Sequence, residues 1–209
     1  MRLRHDLLEA PQGVARGRRM GKAAQEALGP SRRSGPDRVG EGVFGLGKRS
    51  SPRGGQKAGK NPTDKGKQGS KRHVVVDRRG VPLCVIHTAA NVHDSKVLEE
   101  AVDAISPIRK PSRGRPRKRP KKLHADKGYD FPRCREALRK RGITPRIARR
   151  GIESSEKLGR YRWVVERTLS WINRFRRLKV RYERRDDIHQ AFLDLGCALI
   201  CWRYVQRLC

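Results

Sequence analysis

The chain has 209 residues, with 52 Lys plus Arg against 21 Asp plus Glu, for a formal net charge of +31. It is long enough for one domain with a tail. No apolar stretch approaches the roughly 20 residues that cross a bilayer, since Asp194 and Arg203 interrupt the longest, from Ala191 to Val205. The opening MRLRHDLLEAPQG lacks an apolar signal core, so neither a membrane span nor a secretory signal is expected, and the charge points to a polyanion, nucleic acid before heparin or anionic lipid.

Residues 1 to about 72 show no sustained helical or strand period, and Gly, Arg, Pro and Ser dominate them. The segment 1–53 is read as a disordered basic segment. From His73 the pattern changes. HVVVD and VPLCVIHT, on either side of Arg78-Arg79-Gly80, read as a β-hairpin. Val97, Leu98, Ala101, Val102 and Ile105 follow at helical spacing, with Asp94 or Ser95 as the N-cap. Residues 106–122 form a basic linker whose prolines oppose a helix. A short strand at Leu123–Ala125, a helix at Phe131–Arg141 stopped by Gly142, and a strand at Ile143–Ala148 come next.

Two helices close the chain. In the first, Tyr161, Val165, Leu169 and Ile172 form one stripe; in the second, Ile188, Phe192, Leu195, Leu199 and Trp202 form another. Trp163, Trp171 and Trp202 read as core. The order of elements suggests a mixed α/β sheet with helices packed on it. Five cysteines without a C-x-x-C pair argue against a disulfide framework or a zinc ribbon, and Cys197 and Cys201 read as small core residues.

Two carboxylates stand out. Asp126, in LHADKGYD, ends a short strand beside a glycine turn; a turn-capping Asp would look the same. Glu166, in RWVVERT, shares a helix face with Arg162 and Asn173. An ordinary i, i+4 surface pair is worth roughly 0.3–0.5 kcal/mol. The functional alternative is a carboxylate ligand to Mg²⁺, which takes one or two protein carboxylates plus water and phosphate oxygens.

The segments GGQKAGKNPTDKGKQGSKRHVVVDRRGVPL, TAANVHDS, HADKGYD, RWVVERT and FRRLKVRYERR occur in order. Together, from about Gly54 to Trp202, they resemble the catalytic domain of bacterial insertion-sequence DDE transposases, in the family five branch related to family four. The resemblance implies a ribonuclease H-like α/β fold over residues 54–209. It also implies that Asp126 and Glu166 are the second and third triad acids, catalytic and ligating Mg²⁺ or Mn²⁺, for cutting and joining phosphodiester bonds at transposon ends by two-metal catalysis. His93 and Asp94 match a further family motif. Implied partners are double-stranded DNA, at transposon ends and target, and a second copy of the chain on that DNA, with no membrane. The implied location is the cytoplasm, with the nucleoid.

Lys127, Arg162, Arg167, Arg174, Arg176, Arg177 and Lys179 are the candidate DNA contacts, with a solvated basic helix face as the alternative. Arg113 and Arg115 lie in SRGRPRKRP, which resembles an AT-hook and equally a basic proline-rich loop.

The pattern breaks at the first triad acid. Counting back by the family's spacing from Gly54 and Gly55 reaches Gly45, and no acid lies between Gly42 and Pro62. The first strand is therefore expected to be missing or degraded, from truncation or a shifted reading frame, and turnover to be impaired. The alternatives are a non-catalytic basic DNA-binding remnant and a decayed product unable to fold without its central strand.

Overall fold

The computed structural model describes residues 40–108, 116–152 and 155–207. Six strands form one mixed sheet: β1 Glu41–Ser50, β2 Gly59–Lys60, β3 Gln68–Asp77, β4 Pro82–Ala89, β5 Lys122–Ala125 and β6 Thr144–Ile147. The order is β2–β3–β1–β5–β6, with β4 also pairing with β3. Strands β1, β3 and β4 run antiparallel, and β5 and β6 run parallel to β1. Among the described residues, five α-helices flank the sheet: α1 Leu98–Asp103, α2 Pro132–Lys140, α3 Ser155–Arg174, α4 Arg176–Lys179 and α5 Asp186–Gln206. This is the expected α/β class, a mixed sheet with flanking helices.

Strand alternation splits the core into two layers. Phe44, Val75, Leu83 and Leu123 pack with Leu98 of α1 and Leu138 of α2. Val43, Val74, Val76 and Val85 face Val165, Leu169 and Ile172 of α3 and Leu193 and Cys197 of α5. Cys84, Cys134, Cys197 and Cys201 are free and buried, as small core residues should be.

The expectation that the first strand is missing is corrected. β1 occupies part of the segment read as disordered, and it is central, pairing with β3 from Gly42↔Asp77 to Ser50↔Gly69 and with β5 from Glu41↔Lys122 to Val43↔His124. Its sequence, EGVFGLGKRS, is weak as a strand because three glycines contribute no side chain. Ladders on both sides override that local weakness, and they satisfy the backbone groups whose exposure would have kept the chain from folding. The glycines have a packing role: a Cβ at Gly45 would lie 2.5 Å from Val165 Cγ1, and one at Gly47 would lie 3.1 Å from Leu169 Cδ2. Helix α3 thus rests directly on the β1 backbone.

Other expectations are also revised. The cap at the 93–97 turn is His93, whose side chain accepts from Ser95 N, and α1 has no side-chain cap. Asp94 instead pairs with Lys71 Nζ at 2.7 Å. The buried face of α5 carries His189, Leu193, Cys197, Ile200 and Cys201, whereas Ile188, Leu195, Leu199 and Trp202 face outward. Trp163 is also half exposed, at 50%, so of the three tryptophans only Trp171 packs against the core layer. No described helix is long and apolar enough to cross a membrane.

Candidate divalent-cation and DNA site

The end of β5, the middle of β1 and the outer face of α3 enclose a cleft of about 1090 Å³. Asp126 and Glu166 both line it, with Gly45, Leu46, His124, Lys127, Arg162 and Trp163. The two acids are forty residues apart in sequence, and the fold brings them to one cavity for simple reasons. Asp126 follows the last residue of β5 and caps the single turn Lys127–Tyr129, its Oδ1 accepting from Gly128 N at 2.6 Å. Glu166 follows Val165, which is buried against β1, so the next position on the helix faces outward over the cleft.

Glu166 Oε1 meets Arg162 Nε at 2.9 Å, and both side chains are 58% exposed. Each carboxylate therefore commits one oxygen to the protein. A hard divalent ion held by one or two carboxylates, with water and phosphate oxygens completing its shell, matches this donor set. A larger cluster does not: among the described residues no group of three or more His, Cys, Asp or Glu gathers in a metal-binding arrangement.

The β1–β5 ladder locates the position reached by counting back from Gly54. Its register pairs Gly42 with Leu123 and Val43 with His124; two further steps bring Gly45 level with Asp126, on the same face as Val43. The position reached by counting along the sequence is thus the position beside Asp126 in space, and it holds a glycine with the Val165 side chain pressed against it. The remaining acid on the cleft wall, Glu41, pairs level with Lys122. At about 3.3 Å per residue it lies roughly 13 Å down the strands from Asp126, too far to take part in the same coordination shell.

Arg162 and Lys127 line the cleft. Arg174, Arg176, Arg177 and Lys179 are exposed at the end of α3 and along α4, and Arg177 also meets Glu183 at 3.0 Å. Arg167 is turned inward, its guanidinium between the Trp163 and Trp171 rings and donating to Arg79 O at 2.5 Å. Asn173, which shares a helical face with Glu166, accepts from Arg49 Nε at 2.9 Å and so ties α3 to β1. Arg113 and Arg115 lie outside the described residues.

Sequence reading missed the buried arginines. Arg181 is fully buried; it donates to Glu183 O at 3.1 Å, to Lys57 O at 2.9 Å and to Gln56 O. Gln56 N in turn donates to Arg184 O at 2.8 Å, and Lys57 pairs with Asp186 at 3.2 Å. The GGQKAGK and RYERR segments are therefore one clamp outside the cleft. Arg72 is also buried, and donates to Leu178 O. The only sequence signal for these roles was the joint occurrence of the two segments.

The fold and the cleft define an α/β domain with two acids at one sheet end, faced by a basic helix. The family model of the transposase DDE domain matches residues 43–201, and the chain belongs to that family, as an insertion-element DDE transposase. A Burkholderia cepacia protein named "Putative transposase for insertion sequence element IS402" is 49% identical over 207 residues, covering 99% of this chain and 98% of that one. The family match takes in β1, and the alignment runs through the N-terminal residues as well. Among solved structures, the simian T-cell lymphotropic virus intasome in complex with PP2A regulatory subunit B56 gamma aligns with 81% of this chain at 13% identity and TM-score 0.47. This chain spans about half of that chain, 49%. Divalent-metal use is general to the DDE class.

Proposed function

We propose that the cleft is a DDE site in which Asp126 and Glu166 hold Mg²⁺ or Mn²⁺ for cutting and joining phosphodiester bonds at transposon ends, and that turnover is impaired. The observation that carries this reading is the placement of both acids on one cleft, with Gly45 level with Asp126. When bound, two such ions would stabilise charge on the attacking and leaving oxygens. The chain's own groups then have separate tasks. Asp126 and Glu166 supply ligand oxygens, with Asp126 fixed by Gly128 N and Glu166 oriented by Arg162. Lys127, Arg162, Arg174, Arg176, Arg177 and Lys179 position the DNA backbone, and Arg113 and Arg115 extend that contact. The catalytic domain takes in β1 and so begins ahead of residue 54, because Glu41–Ser50 is a central strand of its sheet. The chain acts as a pair on double-stranded DNA at the nucleoid in the cytoplasm.

Without an acid at position 45, the ligand set lacks one negative charge beside Asp126. Members of such a unit act non-additively, so loss of one removes most turnover. The second reading, a basic DNA-binding remnant without catalysis, is favoured by that same gap. Incubating the chain with labelled terminal-repeat DNA and Mg²⁺ or Mn²⁺ separates the two. Weak metal-dependent nicking that Glu166→Gln abolishes is the expected result. Salt-sensitive binding with no nicking would favour the remnant, and robust strand transfer would overturn the impairment.

A further inference from the structure

Arg177 differs from the cations around it. Among the described residues Arg174, Arg176 and Lys179 meet no carboxylate, whereas Arg177 Nε meets Glu183 Oε1 at 3.0 Å. The Arg177 side chain is 61% exposed and that of Glu183 only 4%. The guanidinium also lies over the Phe192 ring, 5.4 Å from its centroid. An ion pair between two exposed, mobile side chains contributes little, but here one partner is fixed in the core. Glu183 Oε2 accepts from His189 Nδ1 at 3.2 Å, and His189 is fully buried. Burial lowers the pKa of His189 to about 2, so the ring braces the carboxylate without adding a charge. The Glu183 carbonyl is held as well, accepting from Arg181 Nε at 3.1 Å. Arg72 and Arg181 also act on Glu183, but both are buried and donate to main-chain carbonyls. Arg177 alone of the three guanidiniums reaches solvent. We propose that Glu183 is a positioning residue for DNA: braced by His189, it sets Arg177 against Phe192 so that the two Nη groups present a ready fork to one backbone phosphate.

This role rests on the reading of the basic face of α3 and α4 as a DNA surface, and it adds a buried acid to a contact made by a base. With Nε turned to Glu183, the Nη edge of Arg177 remains, and it has no partner among the described residues. That edge matches two phosphate oxygens bidentately. A guanidinium whose plane is already set, by a ring beneath it and a carboxylate beside it, loses less side-chain freedom on binding than a free one. The contact at Glu183 Oε1 is an ion pair without the alignment of a hydrogen bond. The charge of Glu183 therefore holds the guanidinium, and an amide of the same shape would release it. Two opposite effects follow from one substitution. An acid beside a DNA-binding face repels phosphate, so by charge alone its removal strengthens binding. If the acid positions Arg177, its removal weakens binding.

The test is a titration of a labelled DNA duplex with the full chain, followed by fluorescence anisotropy across a salt series without metal. Any duplex sequence serves, because phosphate contacts carry no sequence information. Arg177→Ala should weaken binding and lower the salt slope by about 1. Glu183→Gln should weaken binding about fivefold in the parent chain and change nothing when added to Arg177→Ala. Phe192→Leu, which leaves Glu183 and His189 in place, should act in the same direction and likewise vanish in the Arg177→Ala background. Tighter binding by Glu183→Gln would overturn the proposal. So would equal weakening with and without Arg177, because Glu183 would then support the fold and not the contact. Parent affinity and slope in Arg177→Ala would overturn it together with the placement of DNA on this face, leaving the other DNA contacts standing.

Discussion

Under the proposed function, Gly45 couples two properties that are usually separate, the closeness of a helix to a strand and the completeness of a ligand set. Val165 Cγ1 and Cγ2 lie 2.5 and 2.6 Å from where its Cβ would be, distances that real Cβ atoms do not tolerate. Restoring an acid here is therefore a packing problem before it is a chemical one. Gly45→Asp alone should destabilise the chain by about 1–3 kcal/mol through overpacking, read as a lower urea midpoint, and should gain no nicking. Gly45→Asp with Val165→Ala should recover the midpoint and gain metal-dependent nicking of terminal-repeat DNA. A single variant that is both stable and active would show that α3 yields at this point.

Among the elements, β1 is the one that sequence patterning read least well. Glycines at every second or third position hide its period, and its strand state comes from neighbours far away in sequence: β3 on one side and β5 on the other. The hairpin of β3 and β4, the β5 and β6 strands and the three longer helices were legible because each carries its own apolar period. In α5 the helix was legible but its burial was not. Two apolar stripes share its surface, and only packing on β4 decides that His189, Leu193 and Cys197 turn inward. At the site, Asp126 and Glu166 were singled out by the family resemblance, and the structure places both on one cleft; the buried clamp of Arg181 was not legible, because a charged side chain in sequence reads as surface. That clamp makes a prediction. Arg181→Met removes donors to Gln56, Lys57 and Glu183 carbonyls and should cost about 3 kcal/mol, seen in chemical denaturation. An unchanged midpoint would mean that the two segments are held by other contacts.

For the whole molecule, buried imidazoles govern acid stability. Burial lowers the pKa of His73 to about 4, that of His87 to about 4 and that of His189 to about 2. Their folded pKa values lie below the unfolded value near 6.5, so the unfolded chain binds more protons between those limits. Their stabilisation is complete above about pH 6.5 and is lost as pH falls toward 4. Burial raises Asp194 to about 6, which acts in the opposite direction, but as one group against three. The melting temperature should therefore fall steadily from pH 7 to pH 4.5, and His87→Asn should flatten the slope; a flat profile in the parent chain would contradict the burial of these rings. The net charge of +31 adds a second whole-molecule behaviour, DNA affinity that falls steeply with salt. Under the proposed function, Asp126 and Glu166 together hold the divalent metal. Calorimetric titration of Mn²⁺ into the DNA-free chain tests it most directly. Expected is Mn²⁺ binding whose affinity is lost in both Asp126→Asn and Glu166→Gln, with little further loss in the double variant. Mn²⁺ binding unchanged by all three substitutions would contradict it.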